Sequence, residues 1–99
     1  MSHINLWKRG GRMFVILTYD VGEKRVNRVR KCIKKYLTWT QNSVFEGEIT
    51  VGKLHKCLAD VNKDILPAED SLYVYVVKNS HNITKEVIGQ EKNYDELFL

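Results

Sequence analysis

The stretch Met13-Phe-Val-Ile-Leu-Thr-Tyr-Asp20, followed by Val21-Gly-Glu-Lys-Arg-Val-Asn-Arg-Val-Arg-Lys-Cys-Ile-Lys34, changes its hydrophobic period once. That change decides the fold. Met13 to Tyr19 is a continuous apolar, β-branched run, which predicts a strand buried on both faces. It stops at Asp20, and Gly22 supplies a turn. From Glu23 the apolar residues fall at three- and four-residue steps, Val26, Val29, Ile33 and Tyr36, with Cys32 and Leu37 beside them, the stripe of an amphipathic helix. Lys24, Arg25, Arg28, Arg30, Lys31, Lys34 and Lys35 cover the rest of that helix. These like charges repel, so packing of the stripe must hold the helix.

Working outward, Trp39 to Phe45 predicts a second strand, Glu46-Gly47 a turn or bulge, and Glu48 to Thr50 a short third strand. Thr50 is placed to cap a second helix with a Leu54, Leu58, Val61, Ile65 stripe, ended by Pro67. Leu72 to Val77 has the strongest strand propensity. Residues 78 to 84 predict a polar loop, and Lys85 to Gly89 a short edge strand. The order β-α-β-β-α-β is the ferredoxin-like split βαβ arrangement: an antiparallel sheet with both helices on one face, here with a short fifth strand. The domain is expected over 13–89, between an N-terminal extension (1–12) and a C-terminal tail (90–99).

With 99 residues the chain is one domain, too short for an eight-fold barrel or a full dinucleotide-binding domain. Its longest apolar run, Met13 to Leu17, is far below the roughly 20 residues of a membrane helix. No apolar segment of signal-peptide length follows the basic Lys8, Arg9 and Arg12, so a cytoplasmic location is expected. Cys32 and Cys57 have no metal or redox spacing and predict plain, partly buried thiols. Charge is unevenly spread. Residues 1–45 hold ten Lys/Arg against two acids, and residues 46–99 six against ten, within a net charge of +4. A basic half of this kind suits either a polyanion such as a nucleic-acid backbone or a solvated helix face.

Asp20 is the first candidate for chemistry: a carboxylate at the end of a buried strand lies at a sheet rim, where a hard cation binds. Asp20-Val-Gly-Glu23 also fits a capping box, and on pattern alone the cap is the commoner role. One carboxylate is a poor Mg²⁺ site by itself, whereas two chains related by a dyad would offer two. Glu46 and Glu48 could add oxygen ligands, although solvent-facing acids are more ordinary there. Ser43 lies in no nucleophile-elbow pattern, and no P-loop occurs. Trp39, Phe45, Tyr73 and Tyr75 fit core or interface roles better than base stacking, since the basic-aromatic strand of RNA-recognition modules is absent.

Three blocks in register resemble the CRISPR-associated protein two family: Tyr19-Asp-Val21 with Glu23-Lys-Arg25, then Gln41-Asn-Ser-Val-Phe-Glu-Gly47, then Glu69-Asp-Ser-Leu-Tyr-Val-Tyr75. The resemblance implies a homodimer in which Asp20, as catalytic and metal-binding residue, faces its twin across the dyad and shares Mg²⁺ or Mn²⁺. It implies an endoribonuclease hydrolysing phosphodiester bonds of single-stranded RNA, other members cutting double-stranded DNA. The alternative is a non-catalytic scaffold holding duplex DNA and the CRISPR integrase partner during spacer acquisition, with Tyr94 to Leu99 docking that partner. The Lys85 to Gly89 strand would pair with the other protomer's sheet. Lys24, Arg25, Arg28 and Lys31 are expected to neutralise the nucleic-acid backbone. Residues 1–12 are extra to the family pattern and are assigned no function.

Overall fold

In a computed structural model, residues 12–77 and 86–89 are described. The elements are β1 (Arg12–Asp20), α1 (Glu23–Lys34), β2 (Thr38–Gln41), β3 (Val44–Thr50), α2 (Val51–Asn62) and β4 (Ser71–Val77). They form a four-stranded antiparallel sheet in the order β2-β3-β1-β4. This is the ferredoxin-like topology expected from the β-α-β-β-α-β order. β1 begins one residue before Met13 and lies between β3 and β4.

Alternation along β1 sorts its side chains. Met13, Val15, Leu17 and Tyr19 are buried on the helix-covered face, together with Phe45 and Ile49 of β3, Val29, Cys32 and Ile33 of α1, and Leu54, Cys57 and Val61 of α2. β1 is therefore buried fully on one face, not on both, and Phe14, Ile16 and Thr18 on the other face are half-exposed. Phe45 is completely buried, opposite Leu17 in the register and against the Tyr19 ring at 6.1 Å. Phe45→Ala is expected to cost about 3–5 kcal/mol, read from urea unfolding monitored by circular dichroism.

Four local expectations are corrected. The hairpin turn falls at Asn42-Ser43, not at Glu46-Gly47. Asn42 takes φ +42°, a left-handed conformation that asparagine tolerates. Glu46, Gly47 and Glu48 lie within β3, where Gly47 faces Val15. Gly47 takes φ +156°, a conformation that side-chain-bearing residues rarely adopt, which is what favours glycine inside the strand.

The second helix ends at Asn62, before Pro67, where Lys63 N donates to the Asp60 carbonyl at 3.2 Å and Asp64 N to the Val61 carbonyl at 2.8 Å. Thr50 caps its start as expected, accepting from Lys53 N at 3.3 Å. Asp20 makes no capping box: Gly22 occupies the N-cap of α1, with no side-chain cap. Asp20 stays in the ladder opposite Ser71 instead. The fifth strand is absent from the described part of its expected range, since residues 86–89 form no strand. An edge strand exists only with a neighbour to pair with, and none pairs with 86–89 among the described residues.

Candidate active site

Three segments meet at the rim where β1 ends. Asp20 closes the strand opposite Ser71, the first residue of β4. The β2–β3 turn approaches from the other side, the Ser43 carbonyl accepting from Tyr19 N at 3.2 Å. The third segment is the turn Val21-Gly22 into α1. Asp20 itself is exposed, and no hydrogen bond or ion pair among the described residues engages its carboxylate.

The turn beside it is held by Asp70, whose side chain is wholly buried. Asp70 accepts from Gly22 N at 2.9 Å, from Leu66 N at 2.8 Å, and from Arg25 twice, Nε at 2.7 Å and Nη2 at 2.8 Å. A two-pronged guanidinium–carboxylate pair is the strongest geometry open to these groups. Glu69 takes a further bond from Arg25 at 3.2 Å. The Arg25 bonds and the two backbone N–H groups hold the Asp70 carboxyl well below the usual carboxylate range, and Asp70 in turn raises the Arg25 guanidinium. Gly22 is required here: a Cβ on it would stand 2.5 Å from Arg25 Nη2, in the space that the locked guanidinium fills.

Of the four cations expected to meet phosphate, Arg25 is the one bonded to carboxylates at this turn, a pairing that sequence reasoning missed because Asp70 lies 45 residues away. Lys24 and Lys31 are exposed, and Arg28 is 79% exposed, only 3.9 Å from Asp64. Glu46 and Glu48 are not brought to Asp20. They pair with Ile16 and Phe14, four and six residues up β1, or roughly 13 and 20 Å away. Cys32 and Cys57 are buried free thiols, and burial pushes Cys57 up to about 12, leaving it unreactive.

The face of the sheet away from the helices carries Phe14, Ile16 and Thr18 in one row with Asp20, and Tyr73, Tyr75 and Val77 beside them. No element among the described residues covers it. Tyr73 and Tyr75 are 57% and 56% exposed. Glu46 and Glu48 stand on the same face opposite Ile16 and Phe14, so it is an apolar patch centred on Tyr73 and Tyr75 with acids along one side, the make-up of a docking surface.

Fold and rim together define a small ferredoxin-like α+β protein with an exposed acidic strand end beside a basic helix. Residues 13–84 match the family model described as CRISPR associated protein Cas2. The chain belongs to this CRISPR-associated family. It is 54% identical to CRISPR-associated endoribonuclease Cas2 3 of Thermodesulfovibrio yellowstonii, over 80% of this chain and 90% of that one. It is 45% identical to CRISPR-associated endoribonuclease Cas2 of Thermotoga maritima, over 84% and 95%. Among solved structures, a Cas2 crystal structure superposes with a TM-score of 0.74 at 39% identity, covering 83% of this chain and 92% of that one. Streptococcus pyogenes Cas2 at pH 6.5 gives 0.65 at 28% identity, covering 76% and 99%. No helix among the described residues is long and apolar enough to cross a membrane.

Proposed function

We propose that this chain is a metal-dependent endoribonuclease that hydrolyses single-stranded RNA as a homodimer, with Asp20 of each subunit holding one shared Mg²⁺ or Mn²⁺. The observation that carries the reading is the exposed carboxylate of Asp20 in line with a sheet face, bearing Tyr73 and Tyr75, that no element among the described residues covers. A second copy seated on that face would bury Tyr73 and Tyr75 and bring its own Asp20 to the same rim. The relatives named above as endoribonucleases support the reaction class.

The donor set fits a hard cation shared in this way. Among the described residues no group of three or more His, Cys, Asp or Glu is gathered. Mg²⁺ needs only one or two carboxylates, water and substrate phosphate filling its remaining positions. When bound, such an ion polarises the scissile phosphate and lowers the pKa of a bound water. The chain's own residues do the rest. Asp20 supplies negative charge to hold the cation. Lys24, Arg28 and Lys31 neutralise backbone phosphates. The Arg25–Asp70 pair keeps the Asp20 turn in one conformation.

Purified protein is expected to cut single-stranded RNA with Mg²⁺ or Mn²⁺ and to stop on chelation. Equal cleavage in chelator refutes the metal requirement, and preferential cleavage of matched DNA refutes the RNA assignment. Tyr75→Asp places a charge in the middle of the open face. It is expected to yield a monomer in sedimentation analysis and to abolish cleavage; a persistent dimer removes this face as the interface.

A scaffold role, with duplex DNA on the cationic surface of α1 and the CRISPR integrase as partner, is favoured by the exposed Lys24, Arg28 and Lys31. The tail expected to dock that partner, Tyr94 to Leu99, lies outside the described residues.

A further inference from the structure

At the opposite rim of the sheet, a cleft of about 380 Å³ opens between the start of β1, the end of α1 and the first turns of α2. Arg12, Lys35, Lys53 and Lys56 line it, with Glu48 the one acidic residue in its walls among the described residues and the Tyr36 ring beside them. Glu48 is 3.9 Å from Arg12, and Asp60 lies within electrostatic reach of Lys35 and Lys56 while accepting a 2.6 Å bond from Tyr36 Oη. Counting both acids, cations still outnumber carboxylates two to one. Arg12 and Asp20 are at opposite ends of β1, roughly 26 Å apart along an extended strand.

Two features make this arrangement costly without an anion. Cations from three separate elements converge on a concave surface, where the field is focused rather than dispersed. Lys53 also lies in the first turn of α2, which holds no acidic residue. A cation there opposes the positive end of the helix dipole, the end that favours negative charge. Both costs reverse when a phosphate enters.

We propose that Arg12, Lys35, Lys53 and Lys56 form a phosphate-binding cleft separate from the Asp20 rim, taking a phosphate ester through its charged oxygens. The phosphate can belong to a nucleic-acid backbone or to a free phosphorylated small molecule, and binding needs neither Asp20 nor a metal.

The test is binding in chelator, with inorganic pyrophosphate followed by calorimetry and a short labelled single-stranded DNA followed by anisotropy. The variants are Lys53→Glu/Lys56→Glu, the milder Lys53→Gln/Lys56→Gln, and Lys24→Gln/Lys31→Gln on α1 as reference. The cleft variants are expected to weaken binding by about tenfold or more and to reduce the salt slope for DNA by about 2, with thermal unfolding confirming the fold. Loss of both probes, or of DNA alone, assigns the cleft to a backbone; loss of pyrophosphate alone assigns it to a small phosphate ester. The proposal is overturned if wild-type protein binds neither probe, if the cleft variants match wild type for both, or if the α1 variant loses pyrophosphate equally. Because no cleavage is measured, an inactive Asp20 leaves this result intact.

Discussion

Replacing Asp20 by Asn is expected to reduce RNA cleavage by about 10³-fold or to background, while thermal stability moves by no more than roughly 0.5 kcal/mol. The two halves of this expectation have different origins. Asn keeps the shape and the strand pairing with Ser71, because that pairing is made by the backbone. The exposed carboxylate engages no group among the described residues, so the fold loses nothing when its charge is removed. A shared cation site loses both of its charged ligands at once, since each subunit carries the change. The measurement is single-turnover cleavage of labelled RNA with Mg²⁺ and with Mn²⁺, beside a melting curve and a sedimentation profile. Undiminished cleavage by a pure, dimeric variant would sink the catalytic assignment, whereas loss of the dimer would trace the defect to assembly.

The opposite pattern is expected at Asp70. Asp70→Asn is expected to lower Tm by several degrees, because the two-pronged bond is lost and the half-buried Arg25 keeps only the exposed Glu69 as counter-charge. The variant still accepts hydrogen bonds through one oxygen, but it cannot serve Arg25, Gly22 and Leu66 together. Cleavage falls as well, through the displaced turn that carries Asp20.

The same pair sets an acid limit. Asp70 titrates lower in the folded chain than its ordinary 3.8, so the unfolded chain takes up its proton first. The stabilisation is therefore complete above pH about 4 and is lost as pH falls below it. Wild-type protein should lose Tm steeply on acidification from about pH 4, and Asp70→Asn much less so. Parallel pH–Tm curves for the two proteins would show that Asp70 does not carry the acid transition.

The Arg25–Asp70 pair also separates what was legible in the residues from what was not. β1 and α1 could be read directly, since an apolar run and a three-to-four-residue stripe are properties of neighbouring residues. The Thr50 cap was legible for the same reason, as it joins groups three residues apart. The turn at Asn42-Ser43 was not legible because glycine ordinarily signals a break, while Gly47 serves an irregular backbone conformation, φ +156°, inside β3.

Asp20 was found as a strand-end carboxylate, but its choice between helix cap and open rim was not local. Asp70, 48 residues beyond Gly22, satisfies the Gly22 N–H and leaves Asp20 unused. Likewise, one of seven helix cations cannot be told from the others by spacing. Folding alone puts Arg25 against a buried carboxylate and brings Lys53 and Lys56 round to Arg12 and Lys35. The chain's local periodicity thus determined the elements and their order. Which charges are spent inside the molecule, and which remain for a ligand, was decided by tertiary packing, because an ion pair depends on distance in space and not along the chain.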